Sequence, residues 1–93
     1  MTNDRNIDDS GEVRIGSPAD LGAAIRRARK AAGLTQGDLA LAAGVGVRFL
    51  VELEKGKPGC ETGRSLTVAK AVGLELVVRP HLAGTPFADD SDD

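Results

Sequence analysis

The sequence predicts a mainly α-helical domain of four short helices followed by a short β-strand, and three observations carry that prediction. Glycines and helix-capping residues divide the chain into segments of about two to four helical turns. Within those segments apolar residues recur at spacings of three and four, the period of a helix with one buried side. One stretch differs: residues 74–79, Leu-Glu-Leu-Val-Val-Arg, combine β-branched residues with partial alternation before Pro80 stops any ladder.

The first helix begins at Ser17-Pro18-Ala19-Asp20, where a hydroxyl cap, a proline at a position with no amide partner and a carboxylate three residues on form a capping box. Leu21, Ile25, Ala28 and Ala32 then place an apolar stripe inward, with Arg26, Arg27, Arg29 and Lys30 mostly outward, until Gly33 closes the helix in a left-handed conformation. Thr35-Gln36-Gly37-Asp38 repeats the capping-box pattern and opens a second helix, whose core residues are Leu39, Ala40 and Ala43 and whose stop is Gly44. A third helix fits residues 47–55, capped by Gly46, with Leu50 and Leu53 inward; Gly56 and Pro58 end it. The fourth spans residues 62–72, using Leu66, Ala69 and Val72 for the core, and stops at Gly73. A lone strand is unstable, so residues 74–79 need a partner, either Val13-Arg14-Ile15 or the same strand of a second chain.

A chain of 93 residues holds one modest core, and no apolar run approaches the roughly 18 residues needed to span a bilayer. The polar, acidic start MTNDRNIDDS is unlike a secretory leader, which leads to the expectation of a cytoplasmic protein. One cysteine, Cys60, excludes an internal disulfide, and with the single His81 it cannot complete a zinc shell. Cys60 as a redox sensor would need a lowered pKa that sequence cannot supply, and His81 has no nucleophile or carboxylate nearby in sequence. No phosphate-cradling glycine loop, paired-carboxylate pattern or nucleophile motif is present, so the expectation is a protein without enzymatic activity, metal or cofactor. Two aromatic residues, Phe49 and Phe87, are too few for binding single strands by stacking.

The net charge of −2 conceals segregation. Residues 1–12 carry −3 and residues 84–93 carry −4, whereas residues 13–83 hold eleven Lys and Arg against six Asp and Glu, a net of +5. An acidic total therefore leaves a polyanion partner open. The boundaries expected from this are a disordered acidic tail over residues 1–12, a folded domain over 13–80 and a second disordered acidic tail over 81–93.

Residues 36–55 are the informative stretch: two short helices joined at Gly44-Val45-Gly46, with Ala40 small where the axes cross and Leu39, Ala43, Val45, Leu50 and Leu53 along the shared seam. This is the spacing of a DNA-binding helix-turn-helix. Through Leu34-Thr35-Gln36, Asp38-Leu39-Ala40, Gly44-Val45 and Leu53-Glu54-Lys55-Gly56-Lys57, residues 18–78 resemble the Xre, or Cro/λ-repressor-like, helix-turn-helix domains. Arg48-Phe49-Leu50, the run from Glu52 to Pro58, and Ala71-Val72-Gly73-Leu74-Glu75-Leu76 look most like the HipB-type antitoxins. The resemblance implies a four-to-five-helix λ-repressor-like DNA-binding domain with a short C-terminal β-strand for dimerisation. It further implies a homodimeric repressor that binds a HipA-type kinase toxin and the operator of its own operon. On this reading Leu74, Leu76, Val77 and Val78 join the subunits.

The outward side of the third helix carries groups able to reach base edges in a major groove: Val47, Arg48, Val51, Glu52 and Lys55. Arg48 suits a two-point bond to guanine, Glu52 suits a cytosine amino group, and Val47 and Val51 suit thymine methyls. Val47 departs from the polar residue common at this place in the family, which leaves the operator sequence open. Phosphate contacts are expected from Thr35 and Gln36 at the start of the second helix, with Arg29 and Lys57 adding to them. Glu54 is expected to serve a structural ion pair or cap, and Phe49 to pack against the fourth helix. The partners expected are double-stranded DNA with a palindromic site, a second copy of the chain and a kinase toxin, with no membrane. Two other readings remain: a stand-alone Xre-type regulator, or a protein-interaction module in which Phe87 and the terminal aspartates contact a basic partner and DNA affinity is incidental.

Overall fold

The structure, a computed structural model, describes residues 11–81; the expectations for the acidic tails, Phe87 included, lie outside the described residues. Its elements are α1 (Pro18–Ala31), α2 (Gln36–Ala43), α3 (Val47–Glu54) and α4 (Thr62–Ala71). The first three helices start at the caps expected of them, Ser17, Thr35 and Gly46. Ser17 Oγ accepts from the Asp20 amide at 3.2 Å, while the Asp20 carboxylate turns to the Gly16 amide at 2.8 Å instead of completing the box on Ser17. In α2 the box is complete: Thr35 Oγ1 accepts from the Asp38 amide and Asp38 Oδ2 from the Thr35 amide, both at 3.0 Å. Glu61 caps α4 through the Arg64 amide, and Gly46 caps α3 without a side-chain bond.

Ile25, Leu39, Ala40, Leu50, Leu53 and Val68 form the buried core, one or two residues from each helix. Half-buried Leu21, Leu34, Ala43, Val45, Phe49, Cys60, Val72 and Leu74 pack around it. Cys60 thus has a packing role, and His81 is exposed beyond the last helix.

Two expected core positions are corrected. Ala32 lies exposed past the end of α1, whose buried side is completed by Ala24 and by Arg29. Leu66 is 48% exposed, because α4 is rotated so that Ser65, Val68 and Ala69 face inward. Spacing alone left the rotation of α4 undetermined: Ser65 is polar, and its hydroxyl is accommodated by donating to the Glu61 carbonyl at 2.8 Å.

The approach of α1 to α3 depends on Gly22. A β-carbon there would stand 2.4 Å from the Leu53 carbonyl oxygen and 2.7 Å from that of Glu54, so only hydrogen fits between the two backbones. After α4 the described chain continues without a strand; a single bridge position, Val13, lies before α1. The expected strand over residues 74–79 is therefore absent from the described single chain. Leu74 is drawn into the core and closes α4 through its amide to the Ala69 carbonyl at 2.9 Å. Leu76, Val77 and Val78 are left 43%, 71% and 84% exposed. An ion pair between Arg79 and Glu12 brings the end of this segment beside the start of the described chain.

Candidate nucleic-acid interface

Helices α2 and α3 form a hairpin through residues 44–46, with Gly44 left-handed at φ 72° and the Val45 amide bonded to the Ala40 carbonyl at 3.0 Å. Leu39, Ala40, Leu50 and Leu53 close the seam between them. That seam sets which residues of α3 face out. Leu50, Leu53 and Glu54 are buried, Val47, Arg48 and Lys55 are exposed, and Val51 and Glu52 are half-buried beside them. The Arg48 side chain is 92% exposed and projects from this face. The five residues expected to meet bases thus share one side of a two-turn helix.

The end of α3 is built by Gly56. At φ 83° it directs its own amide to the Leu53 carbonyl at 3.0 Å and the Lys57 amide to the Glu52 carbonyl at 3.1 Å, a reversal that a side chain would strain. The turn also presses Gly56 against Ala19, so it ties α3 to the start of α1. Lys57 is folded back by it, and its Nζ stands 3.1 Å from Glu52 Oε1. Arg48 Nε approaches Glu52 Oε2 at 3.8 Å from one turn earlier. Glu52 therefore has cations on both sides.

Arg29 is a correction among the expected phosphate contacts. Its guanidinium donates from Nε to Glu54 Oε2 at 2.7 Å, from Nη2 to Glu54 Oε1 at 3.0 Å and from Nη1 to the Leu34 carbonyl at 2.9 Å, and the residue is 8% exposed. The hydrogen bond and charge of Glu54 raise the Arg29 pKa against the opposing effect of burial, so it stays charged. Helical spacing placed Arg29 among surface arginines; a partner 25 residues away takes it inside. Glu54 is the structural ion-pair member expected of it.

The start of α2 lies against the same pair. Gln36 donates from Nε2 to Glu54 Oε1 at 3.1 Å, which orients its side-chain amide and leaves a second N–H available. The Thr35 hydroxyl oxygen accepts from the Asp38 amide, which fixes the side chain at the start of α2. The Asp38 carboxyl is held below its ordinary pKa, first by the Thr35 amide and then by the Thr35 hydroxyl. Phe49 is half-buried, as its packing role requires, and Arg64 of α4 stacks 5.9 Å over its ring. The sequence reading did not single out Arg64; an arginine two residues into a capped helix facing an aromatic residue was the available signal.

Comparisons with known proteins agree with this arrangement. A family model described as a helix-turn-helix domain matches residues 20–82. The HTH-type transcriptional regulator y4mF of Sinorhizobium fredii (strain NBRC 101917 / NGR234) is 48% identical over 63 residues, which cover 68% of this chain and 83% of that protein. HipB in a complex with an O4 20mer superimposes with a TM-score of 0.67 at 20% identity, covering 73% of this chain and 96% of HipB, a likeness of fold. HipB within a HipA-HipB-O2-O3 complex gives the same score, identity and coverage. The clp gene regulator ClgR from C. glutamicum superimposes with a TM-score of 0.57 at 32% identity, covering 67% of this chain and 80% of that one. With an α2–α3 hairpin that turns an arginine-bearing helix face outward, and with a family match over most of its length, the chain belongs to the helix-turn-helix domain family and is a DNA-binding transcriptional regulator.

Proposed function

We propose that the protein is a sequence-specific repressor that binds a palindromic operator as a homodimer, and that it is the antitoxin of a HipA/HipB-type pair. The observation that supports this best is the outward face of α3. Val47, Arg48, Val51 and Lys55 project from a helix whose other side is anchored in the core, the requirement for reading a major groove. Thr35, Gln36 and Lys57 flank that face as phosphate contacts. Leu76, Val77 and Val78, apolar and exposed in the single chain, pair with the same segment of a second copy and there acquire the strand partner that one chain does not provide. The domain so defined spans residues 13–80. Binding of a HipA-type kinase toxin is supported by the sequence resemblance and by the fold shared with HipB in its HipA complex.

A gel-shift titration with the promoter of its own operon, at two salt concentrations, tests the DNA reading. Retention of one shifted species in excess competitor DNA is expected, weakening steeply with salt. Co-expression with a kinase-like protein encoded beside it tests the antitoxin reading: a co-purifying complex supports it, and a chain that binds the promoter without forming one is a stand-alone regulator.

A further inference from the structure

Glu52 is the acidic group in the middle of a surface otherwise carrying Arg48, Lys55 and Lys57. The turn at Gly56 places both the amide and the ammonium of Lys57 on Glu52, each at 3.1 Å, one on its carbonyl and the other on Oε1. Oε2 faces Arg48 Nε at 3.8 Å. Each carboxylate oxygen thus has a cation of its own chain beside it, and the side chain is 35% exposed against 92% for Arg48. A cytosine amino group would have to share this carboxylate with the Lys57 ammonium bonded to Oε1 and the Arg48 guanidinium facing Oε2.

We propose that Glu52 is a specificity-determining residue that acts through Arg48 and Lys57 rather than on a base. It bonds Lys57 and attracts Arg48 through its charge, and gives them up only where DNA supplies better partners. On arbitrary DNA, phosphates alone must displace the carboxylate, whose own charge repels the backbone. At the operator, the two-point bond of Arg48 to guanine compensates for the broken pairs. Discrimination therefore arises from an internal competitor built against the wrong sites. The inference rests on the DNA-binding reading above and assigns Glu52 a different task within it.

The experiment compares the parent with Glu52→Gln and with the charge-matched control Asp92→Asn, which lies in the acidic run far along the chain from α3 and its turn. A preferred duplex is first selected from random sequences with the parent. Affinities for it and for a scrambled duplex are then measured by fluorescence anisotropy across a salt series, alongside elution from heparin, a polyanion without bases. Relative to Asp92→Asn, Glu52→Gln is expected to bind the scrambled duplex about tenfold tighter, to gain less on the preferred duplex, and to steepen the salt dependence by about one freed cation. It also elutes later from heparin. Adding Lys57→Gln is expected to abolish most of that gain, an effect that a merely structural role for Glu52 would not produce. An unchanged ratio of preferred to scrambled binding overturns the inference, as does a loss of affinity confined to duplexes carrying one particular C·G pair, which would make Glu52 a direct reader. A parent that selects no preferred duplex defeats the DNA-recognition reading itself.

Discussion

Arg29 and Glu54 meet in a buried two-point ion pair, with Nε to Oε2 at 2.7 Å and Nη2 to Oε1 at 3.0 Å, joining the end of α1 to the end of α3. Gln36 bonds to the same carboxylate from the start of α2, so one acidic group holds three helices in register beneath the exposed face of α3. Removing one member leaves a charge buried without its counterpart. Glu54→Ala is expected to cost about 3 to 5 kcal/mol. The apolar pair Arg29→Met with Glu54→Leu should cost far less than the two single losses added together. Urea denaturation of Glu54→Ala, of the double variant and of its two single variants measures both; additive losses would show that the pair is not coupled.

Gly22→Ala places a methyl group against the backbone of α3, where the nearest carbonyl oxygen would be 2.4 Å away. The intrinsic helix preference for alanine is overridden by the clash, and a net loss of about 1 to 3 kcal/mol is expected. Gly37→Ala, whose new carbon meets nothing closer than Thr35 Oγ1 at 3.7 Å, should instead gain about 0.4 to 1 kcal/mol. Thermal melting of the two variants gives opposite signs if the α1–α3 approach is as close as described.

Arg48→Ala removes a 92% exposed group from the outward face of α3. Discrimination at one base pair should fall by about 1 to 3 kcal/mol while the other positions keep their preference. Anisotropy with single-base variants of the selected duplex reads this directly, and an unaltered preference at every position would remove Arg48 from the readout.

Asp38 is held below the ordinary carboxylate range by the Thr35 amide and hydroxyl. Its contribution to stability is therefore fully present above the unfolded carboxylate value of about 3.9 and is lost as pH falls through the lower folded value. Asp38→Asn should be less stable than the parent at neutral pH, with the difference closing in that acidic window. Melting temperatures from pH 7 down to pH 2 test this, and a difference that does not narrow would place the effect elsewhere.

Val77→Pro removes one backbone donor from the exposed segment 76–78 and forbids it a place in an intersubunit ladder. Sedimentation velocity is expected to show a dimer becoming a monomer with unchanged helical circular dichroism. A variant that stays dimeric would move the interface away from this segment.

Helix positions and ends were legible in the sequence because their causes are local. Ser17, Thr35 and Gly44 act within about one turn of themselves, so the boundaries of α1 and α2 and the hairpin follow from short-range hydrogen bonds and backbone geometry. Residues 47–54, with Leu50 and Leu53 inward and Arg48 outward, were readable for the same reason. The tertiary structure decided what spacing leaves open. It drew Arg29 inside because Glu54 waits there, turned Leu66 out as α4 set Ser65, Val68 and Ala69 inward, and left residues 74–79 without a strand partner among the described residues because a strand requires another chain segment beside it. It also set Lys57 against Glu52 through the Gly56 turn, opposite Arg48 one helical turn earlier. A capping hydroxyl finds its partner within three or four residues, whereas the environment of a charge or an apolar face depends on groups brought near only by folding.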